Sequence, residues 1–416
     1  MTELPHTQTP AGALDGLTVI DLTVMLAGPY ASMMLADQGA RVIKIEPPGG
    51  EDSRSIGPHP EGAPPRSEGG YGAYFASINR NKQSVVIDLK QEAGKDVLRR
   101  LAAKTDVLME NYRAGVMERL GLSYEALAEI NPRLVYAALR GFGDRRTGES
   151  PYTLWPAYDP VSQAMGGIMG ITGATAGGAP TKIGPGVGDI MPAMFLGFGI
   201  AAACWRAQRT GRGQFLDIGM VDGVLAVCDR IVMQYSATGV APKPEGSGHP
   251  LLCPFGLFPA KDGFVSLGIP KDEFWAPLAR LMGRPELADH PHFATNPARM
   301  ARREEVNAIV GAWTSAHTKQ ELVLVLGGKI PFGPVFHADD IFADPHFAAR
   351  NMLAEVEMPG AARPLTVANT PVRMAETPGG VRSRAPMTGE HTDRVLGEFG
   401  FGADAIAELR RTGAVS

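Results

Sequence analysis

The amino-terminal third alternates short apolar runs with longer stretches of helical periodicity. Leu17 to Leu22 (LTVIDL) reads as a buried strand and Arg41 to Glu46 (RVIKIE) as the next one. Between them, Pro29 to Gln38 reads as a helix, with Pro near its first turn and Gly39 as its stop. Together they make a compact βαβ unit. After a Pro/Gly-rich loop over 47–70 the alternation resumes. A strand is expected at Ser84 to Leu89, a helix near Gln91 to Ala103, a strand at Val107 to Met109, a helix near Tyr124 to Ile130 and a strand at Leu134 to Leu139. Alternation of this kind predicts an α/β fold with a mainly parallel, doubly wound sheet.

The second half has a different texture. Nine glycines between Gly166 and Gly188 are too many for a packed helix or strand, and predict a loop that opens the backbone to a ligand. Ile190 to Trp205 reads as a buried helix, short of the roughly 20 residues a membrane span needs and carrying Pro192, Gly197 and Gly199. A turn at Thr210 to Gln214, a strand at Phe215 to Ile218 and a second apolar helix around Val221 to Gln234 follow. From about Pro242 the segments are shorter and mixed. Strand-like Phe264 to Leu267 and helices around Glu273 to Met282, Arg303 to Ala316 and Lys319 to Leu326 indicate a smaller α+β domain.

Composition narrows the functional classes. A chain of 416 residues exceeds one ordinary core, so two domains are expected. A formal charge of -4 gives no bulk attraction to nucleic acid or to an anionic membrane, and neither is expected as a partner. Cys204, Cys228 and Cys253 lie in apolar surroundings without metal-ligand spacing, so neither a disulfide framework nor a metal site is expected. A reducing cytoplasm fits that usage. The first dozen residues lack the basic start and apolar core of an export signal and read as a loose arm.

The familiar nucleotide motifs are missing. The first βα turn, Val24 to Pro29, holds one glycine where a dinucleotide fingerprint needs three, and nothing matches a P-loop. Gly184, Gly186 and Gly188 are spaced by two. No GxSxG elbow, HExxH pair or EF-hand loop occurs either.

Asp189 stands out, at the end of Gly184-Pro185-Gly186-Val187-Gly188 and directly before the apolar helix. Two readings stand. As an N-cap it closes the helix start; as a nucleophile it is kept ionised by the helix end while the glycines admit a large ligand.

Five pieces occur in one order: the 17–46 unit with its Ala27-Gly28-Pro29 turn; Asn79-Arg-Asn-Lys82-Gln-Ser84; Glu110-Asn111-Tyr112-Arg113-Ala-Gly115; the glycine-flanked Asp189; and Thr210-Gly-Arg-Gly-Gln214. This order resembles the family III CoA transferases, a group that includes formyl-CoA transferase, carnitine CoA transferase and α-methylacyl-CoA racemase. The resemblance runs from about residue 14 to about 395, through Gly248-His249-Pro250 and Ala343-Asp344-Pro345-His346.

The resemblance implies an interlocked, ring-shaped homodimer with a Rossmann-like large domain. Residues 1–215 would start that domain, 216–364 would form a linker and small α+β domain, and 365–416 would return to complete it. It implies CoA transfer from an acyl-CoA to a small or dicarboxylic acid, with coenzyme A as the acyl carrier and no metal. Asp189 would attack the donor thioester to give an aspartyl-acyl anhydride, CoA thiolate would convert this to an aspartyl-CoA thioester, and the acceptor would take CoA through a second anhydride. Such a split avoids one hard displacement.

The family pattern also implies further site residues. Gly246 and Gly248, in Glu245-Gly-Ser-Gly-His249, are candidates for close backbone approach and oxyanion stabilisation, or else form an ordinary turn. His249 either bonds the acceptor carboxylate or is a loop histidine. Met25, Ala27, Asn111, Tyr112, Arg113 and Arg119 fall at positions near pantetheine and phosphates, with solvated surface charge as the alternative for the two arginines. Pro47 and Pro156 stand where formyl-CoA transferase has basic groups, leaving Lys44, Arg54 and Lys82 as candidate replacements. The racemases carry a His-Asp pair where this chain has Tyr158-Asp159. A phenol is a poor base at neutral pH, which favours transfer over racemisation. Tyr158 is either a site residue or a core aromatic, and Asp159 a structural support. An acyl-CoA racemase and a non-catalytic CoA-binding protein remain as alternatives.

Overall fold

The structure, a computed structural model, describes residues 12–416. The loose arm expected over the first dozen residues lies, up to residue 11, outside the described residues. Two compact units account for the chain. The larger takes residues up to 168, then 183–230 and 346–416; the smaller takes 169–182 and 231–345.

The larger unit is built on a parallel sheet. In chain order its elements begin with β1 (Thr18–Asp21), α1 (Ala27–Asp37), β2 (Arg41–Glu46), α2 (Ala73–Ile78), β3 (Lys82–Val86), α3 (Glu92–Ala102), β4 (Val107–Glu110), α4 (Val116–Arg119), α5 (Tyr124–Ile130) and β5 (Val135–Arg140). Then follow α6 (Asp159–Met165) and, after the short α7 (Ile168–Ile171), whose last three residues belong to the smaller unit, α8 (Val187–Thr210), β6 (Gln214–Gly219) and α9 (Met220–Val227). Strand order among the described residues is β3-β2-β1-β4-β5-β6, every pair parallel. This is the doubly wound order of dinucleotide folds, without their glycine fingerprint.

Neighbouring strand residues point to opposite faces, and both faces are covered. Ile20, Ile43, Val85, Leu108 and Tyr136 pack against α3 and α5, where Val395, Leu396 and Ile406 from the carboxyl-terminal segment join them. Val19, Val42, Val107, Val135 and Ala137 face the other way, onto Ala31 and Leu35 of α1 and Leu196 and Ile200 of α8. Two-sided burial explains why these strands read as apolar runs rather than alternating ones.

Two helices differ from expectation. The segment read as one helix over Val221 to Gln234 is α9 followed by α10 (Asp229–Thr238), interrupted at Cys228, whose backbone leaves the helical region. The apolar helix is longer than expected: α8 spans 24 residues and stops at Gly211, which takes the left-handed C-cap conformation at φ 69°. Its length and composition suffice to cross a membrane. In the larger unit its Ala193, Leu196, Ile200 and Ala203 are core residues.

In the smaller unit β7 (Phe255–Ala260), β8 (Gly263–Gly268) and β9 (Phe332–Pro334) form an antiparallel sheet. Trp275, Leu278, Val306, Val310 and Leu322 supply a separate core from the helices Trp275–Leu281, Arg303–Ser315 and Lys319–Leu326. The glycine-rich stretch is irregular apart from α7 and its last two residues, Val187 and Gly188, which open α8.

Candidate active site

In parallel sheets, ligands gather outside the carboxyl ends of the strands, where successive connections leave to opposite faces. Here that point lies between β1 and β4. The turn Val24–Ala27 after β1, Asn111–Arg113 after β4 and Leu139–Gly141 at the end of β5 line an open cleft, together with Tyr158, Asp189 and Met220. Met25, Ala27, Asn111, Tyr112, Arg113, Tyr158 and Asp189 are thus brought together. Arg119, exposed at the end of α4, is not among the lining residues.

Asp189 is not the helix cap. The N-cap is Gly186 and Asp189 is the third residue of α8, inside the first turn, where the helix dipole still favours a carboxylate. The bond expected from a cap comes from elsewhere: Asp159 Oδ1 accepts the Gly188 N–H at 2.8 Å and the Gln163 Nε2–H at 2.8 Å. Asp159 therefore holds the start of the helix that carries Asp189. Tyr158 is 62% exposed beside it, which excludes the core-aromatic reading.

The turn after β1 is held from two sides. Asn111 Oδ1 accepts the Val24 N–H at 2.9 Å, and its Nδ2 donates to the Val24 carbonyl at 2.8 Å. Met25 occupies the left-handed region at φ 69°, uncommon for a residue with a side chain, and its N–H is donated to Glu51 Oε2 at 3.0 Å. A Cβ at Gly186 would lie 2.9 Å from Leu26 Cδ2 and 3.9 Å from Asp189 Oδ2, so this turn abuts the approach to Asp189.

Lys44, Arg54 and Lys82 are not available for phosphate. All three are buried and paired, with Glu51 at 2.9 Å, Glu46 at 2.5 Å and Asp21 at 3.1 Å. Burial works against their charge, and only the partners make it tolerable. Lys82 is pushed down to about 8 by burial, against the pull of Asp21. Burial likewise opposes the charge on Lys44, but Glu51, Asp21 and Glu46 outweigh it and hold Lys44 above the ordinary lysine range.

Neither Arg140 nor Tyr74 is named by the sequence reading. Arg140 closes β5, lines the cleft and is braced by Glu110 and Asp144. Its place at the carboxyl end of a parallel strand was the available signal. Tyr74 on α2, which does not line the cleft, has its hydroxyl pushed up to about 12 by burial and then by the negative charges of Asp189 and Glu51. No comparable signal marked it in the sequence.

Gly246, Gly248 and His249 belong to the smaller unit. Glu245 bridges to Ala176 of the glycine-rich stretch, and Gly246 follows in the left-handed region at φ 64°. His249 Nδ1 accepts the Leu251 N–H at 3.1 Å, and its carbonyl accepts from Arg303 Nη2 at 2.6 Å. Among the described residues no group of three or more His, Cys, Asp or Glu is placed to hold a metal ion.

Comparison with known proteins identifies the family. Residues 14–392 match the model of CoA-transferase family III. The succinyl-CoA:mesaconate CoA-transferase of Haloarcula marismortui is 43% identical over 389 residues, covering 94% of this chain and 97% of the relative. The succinate–glutarate CoA-transferase of Agrobacterium fabrum is 37% identical over 407 residues, covering 96% and 98%. A crystal structure of a CAIB/BAIF family protein from Brucella suis superposes with a TM-score of 0.82 at 35% identity, covering 94% of this chain and 100% of the other. With that coverage, and with a cleft at the strand-order reversal, the chain belongs to CoA-transferase family III and is a CoA-transferase.

Proposed function

We propose that this enzyme moves CoA from an acyl-CoA to a free dicarboxylate through covalent intermediates on Asp189, working as a homodimer in the cytoplasm. The observation that carries the proposal is the placement of Asp189 in the first turn of α8, on the wall of a cleft lined by Arg113, Arg140 and the Val24–Ala27 turn. The relatives named for succinyl-CoA with mesaconate, and for succinate with glutarate, support a small dicarboxylate as acceptor and succinyl-CoA as a donor.

In this scheme the Asp189 carboxylate attacks the thioester carbonyl. CoA thiolate leaves as the acyl-aspartyl anhydride forms. The thiolate then attacks the aspartyl carbonyl of that anhydride, releasing the donor acid and leaving an aspartyl-CoA thioester. The acceptor carboxylate displaces CoA to form a second anhydride, and thiolate attack on its acceptor carbonyl gives the new acyl-CoA and regenerates Asp189. No step consumes water. The first turn of α8 favours the ionised nucleophile, and the exposed Arg113 supplies positive charge for the phosphates of CoA. Gly246, Gly248 and His249 keep the roles that the resemblance implies.

The test incubates the protein with succinyl-CoA and with mesaconate or glutarate, then adds hydroxylamine and maps modification by mass spectrometry. A hydroxamate at Asp189, with CoA exchange abolished in Asp189→Asn, is expected. Exchange that survives Asp189→Asn overturns the mechanism. Deuterium incorporation next to the thioester in heavy water, without CoA exchange, would instead identify a racemase.

A further inference from the structure

We infer that Glu51, buried and not itself among the residues lining the cleft, is a positioning residue: its carboxylate locks Met25 in the left-handed conformation and so shapes the wall that receives CoA. The inference rests on the reading of this cleft as the CoA site.

Four observations carry it. Met25 at φ 69° is one of three residues other than glycine with positive φ among those described, and it lines the cleft. Left-handed backbone at such a residue persists only where the surroundings over-determine it. Glu51 is 2% exposed and divides its two oxygens: Oε2 accepts the Met25 N–H at 3.0 Å, and Oε1 faces Lys44 Nζ at 2.9 Å. Lys44 Nζ in turn donates to the Thr23 carbonyl at 2.8 Å, so one buried ion pair grips the turn at residues 23 and 25.

The grip is itself anchored to the sheet. Glu46, at the end of β2, accepts the Glu51 N–H at 3.1 Å and is paired with Arg54. What the turn then presents is Leu26, which stands against Gly186 at the approach to Asp189. The negative charge felt by the Tyr74 hydroxyl from both Asp189 and Glu51 is consistent with this neighbourhood. Two charges have been buried where an apolar pair would fill the same space at lower cost, and the specific thing they provide is the backbone of residues 23–25.

The chemistry points to a clean perturbation. A carboxylate has two acceptor oxygens, whereas an amide has one. In Glu51→Gln the single carbonyl serves either Lys44 or the Met25 N–H, and the amide NH₂ confronts the other donor. The turn then relaxes toward negative φ. Glycine at 25 tolerates positive φ without help, so Met25→Gly makes the lock unnecessary.

The experiment titrates coenzyme A into the full-length protein and measures affinity by calorimetry for wild type, Glu51→Gln, Met25→Gly and the double variant. Glu51→Gln is expected to weaken CoA at least tenfold. Met25→Gly removes a side chain that lines the cleft and so sets its own baseline, and the double variant is expected within threefold of Met25→Gly. The non-additivity is the signature, because general destabilisation would persist in the double variant. Equal CoA affinity in wild type and Glu51→Gln, or a loss undiminished in the double variant, overturns the inference. If Glu51→Gln does not yield folded protein, Glu51→Asp serves the same cycle: it keeps the charge beside Lys44 and shortens the reach to Met25. A wild-type protein that takes up no CoA refutes the reading of the cleft instead.

Discussion

Asp159 Oδ1 accepts the Gly188 N–H at 2.8 Å, so a carboxylate 29 positions upstream holds the first turn of the helix that presents Asp189. Asp159→Ala leaves that N–H without its acceptor and removes the shortest of the Gln163 amide's hydrogen bonds. Loss of a buried acceptor typically costs about 1–3 kcal/mol, and misaligned turns translate such energies into rate. We expect kcat to fall about tenfold or more while KM for acyl-CoA changes less, and Asp159→Asn, which keeps an oxygen, to recover most of the rate. Steady-state kinetics of both variants decide; an Asp159→Ala enzyme with wild-type kcat refutes the role.

The same approach makes the glycines before Asp189 unequal. A Cβ on Gly188 would collide with the Asp159 carbonyl oxygen, whereas one on Gly184 would meet open space. Gly188→Ala is therefore expected to lower both Tm and turnover, and Gly184→Ala to leave both close to wild type. Thermal melts and initial rates on the two variants are sufficient. Equal behaviour would mean that the run serves flexibility rather than close approach.

Arg113 and Arg119 are separated by the structure although they stand six positions apart in one segment. Arg113 lines the cleft and Arg119 does not. Arg113→Ala should raise KM for acyl-CoA about tenfold, an effect that shrinks with added salt as phosphate attraction is screened. Arg119→Ala should be near neutral. Measuring KM at two ionic strengths checks both, and a larger effect at 119 would reverse the assignment.

How much of this was legible in the sequence follows from the range of the forces involved. The strands read from the sequence in the larger unit, and the helices between them, fall within a few residues of their expected places because two-sided burial writes itself as apolar runs such as RVIKIE and VIDL; short helices such as 73–78 and 159–165 carry no such run and were not read. The helix start was misplaced because its stabilising acceptor, Asp159, lies on another helix, and local capping chemistry pointed to Asp189. Lys44 and Lys82 looked free because their partners, Glu51 and Asp21, come from other strands and loops. Arg140 was legible in principle, at the end of LVYAALR, but a strand's last residue acquires meaning only once the strand order shows which edge faces the ligand. Met25 carries no local signature: neither glycine nor asparagine, it reaches positive φ only because Glu51 and Asn111 hold its neighbourhood.

His391 offers a pH test of the carboxyl-terminal packing in the larger unit. The His391 ring Nδ1 accepts the Ser84 N–H at 3.3 Å, while the His391 backbone N–H donates to the Ser84 carbonyl at 3.0 Å. Burial holds the imidazole below the ordinary value of 6.5; Glu390 opposes the shift and Arg394 and Arg384 add to it. A depressed folded value favours the neutral ring. Its contribution is therefore complete above the unfolded value and is lost as pH falls through the folded one. Protonation also turns Nδ1 into a donor facing another donor, so the geometry and the linkage have the same sign. The Tm of the wild type should fall more steeply below pH 6.5 than that of His391→Asn, whose side-chain oxygen keeps an acceptor for Ser84 without titrating. Parallel curves for the two proteins between pH 8 and pH 5 would show that this contact does not govern acid stability.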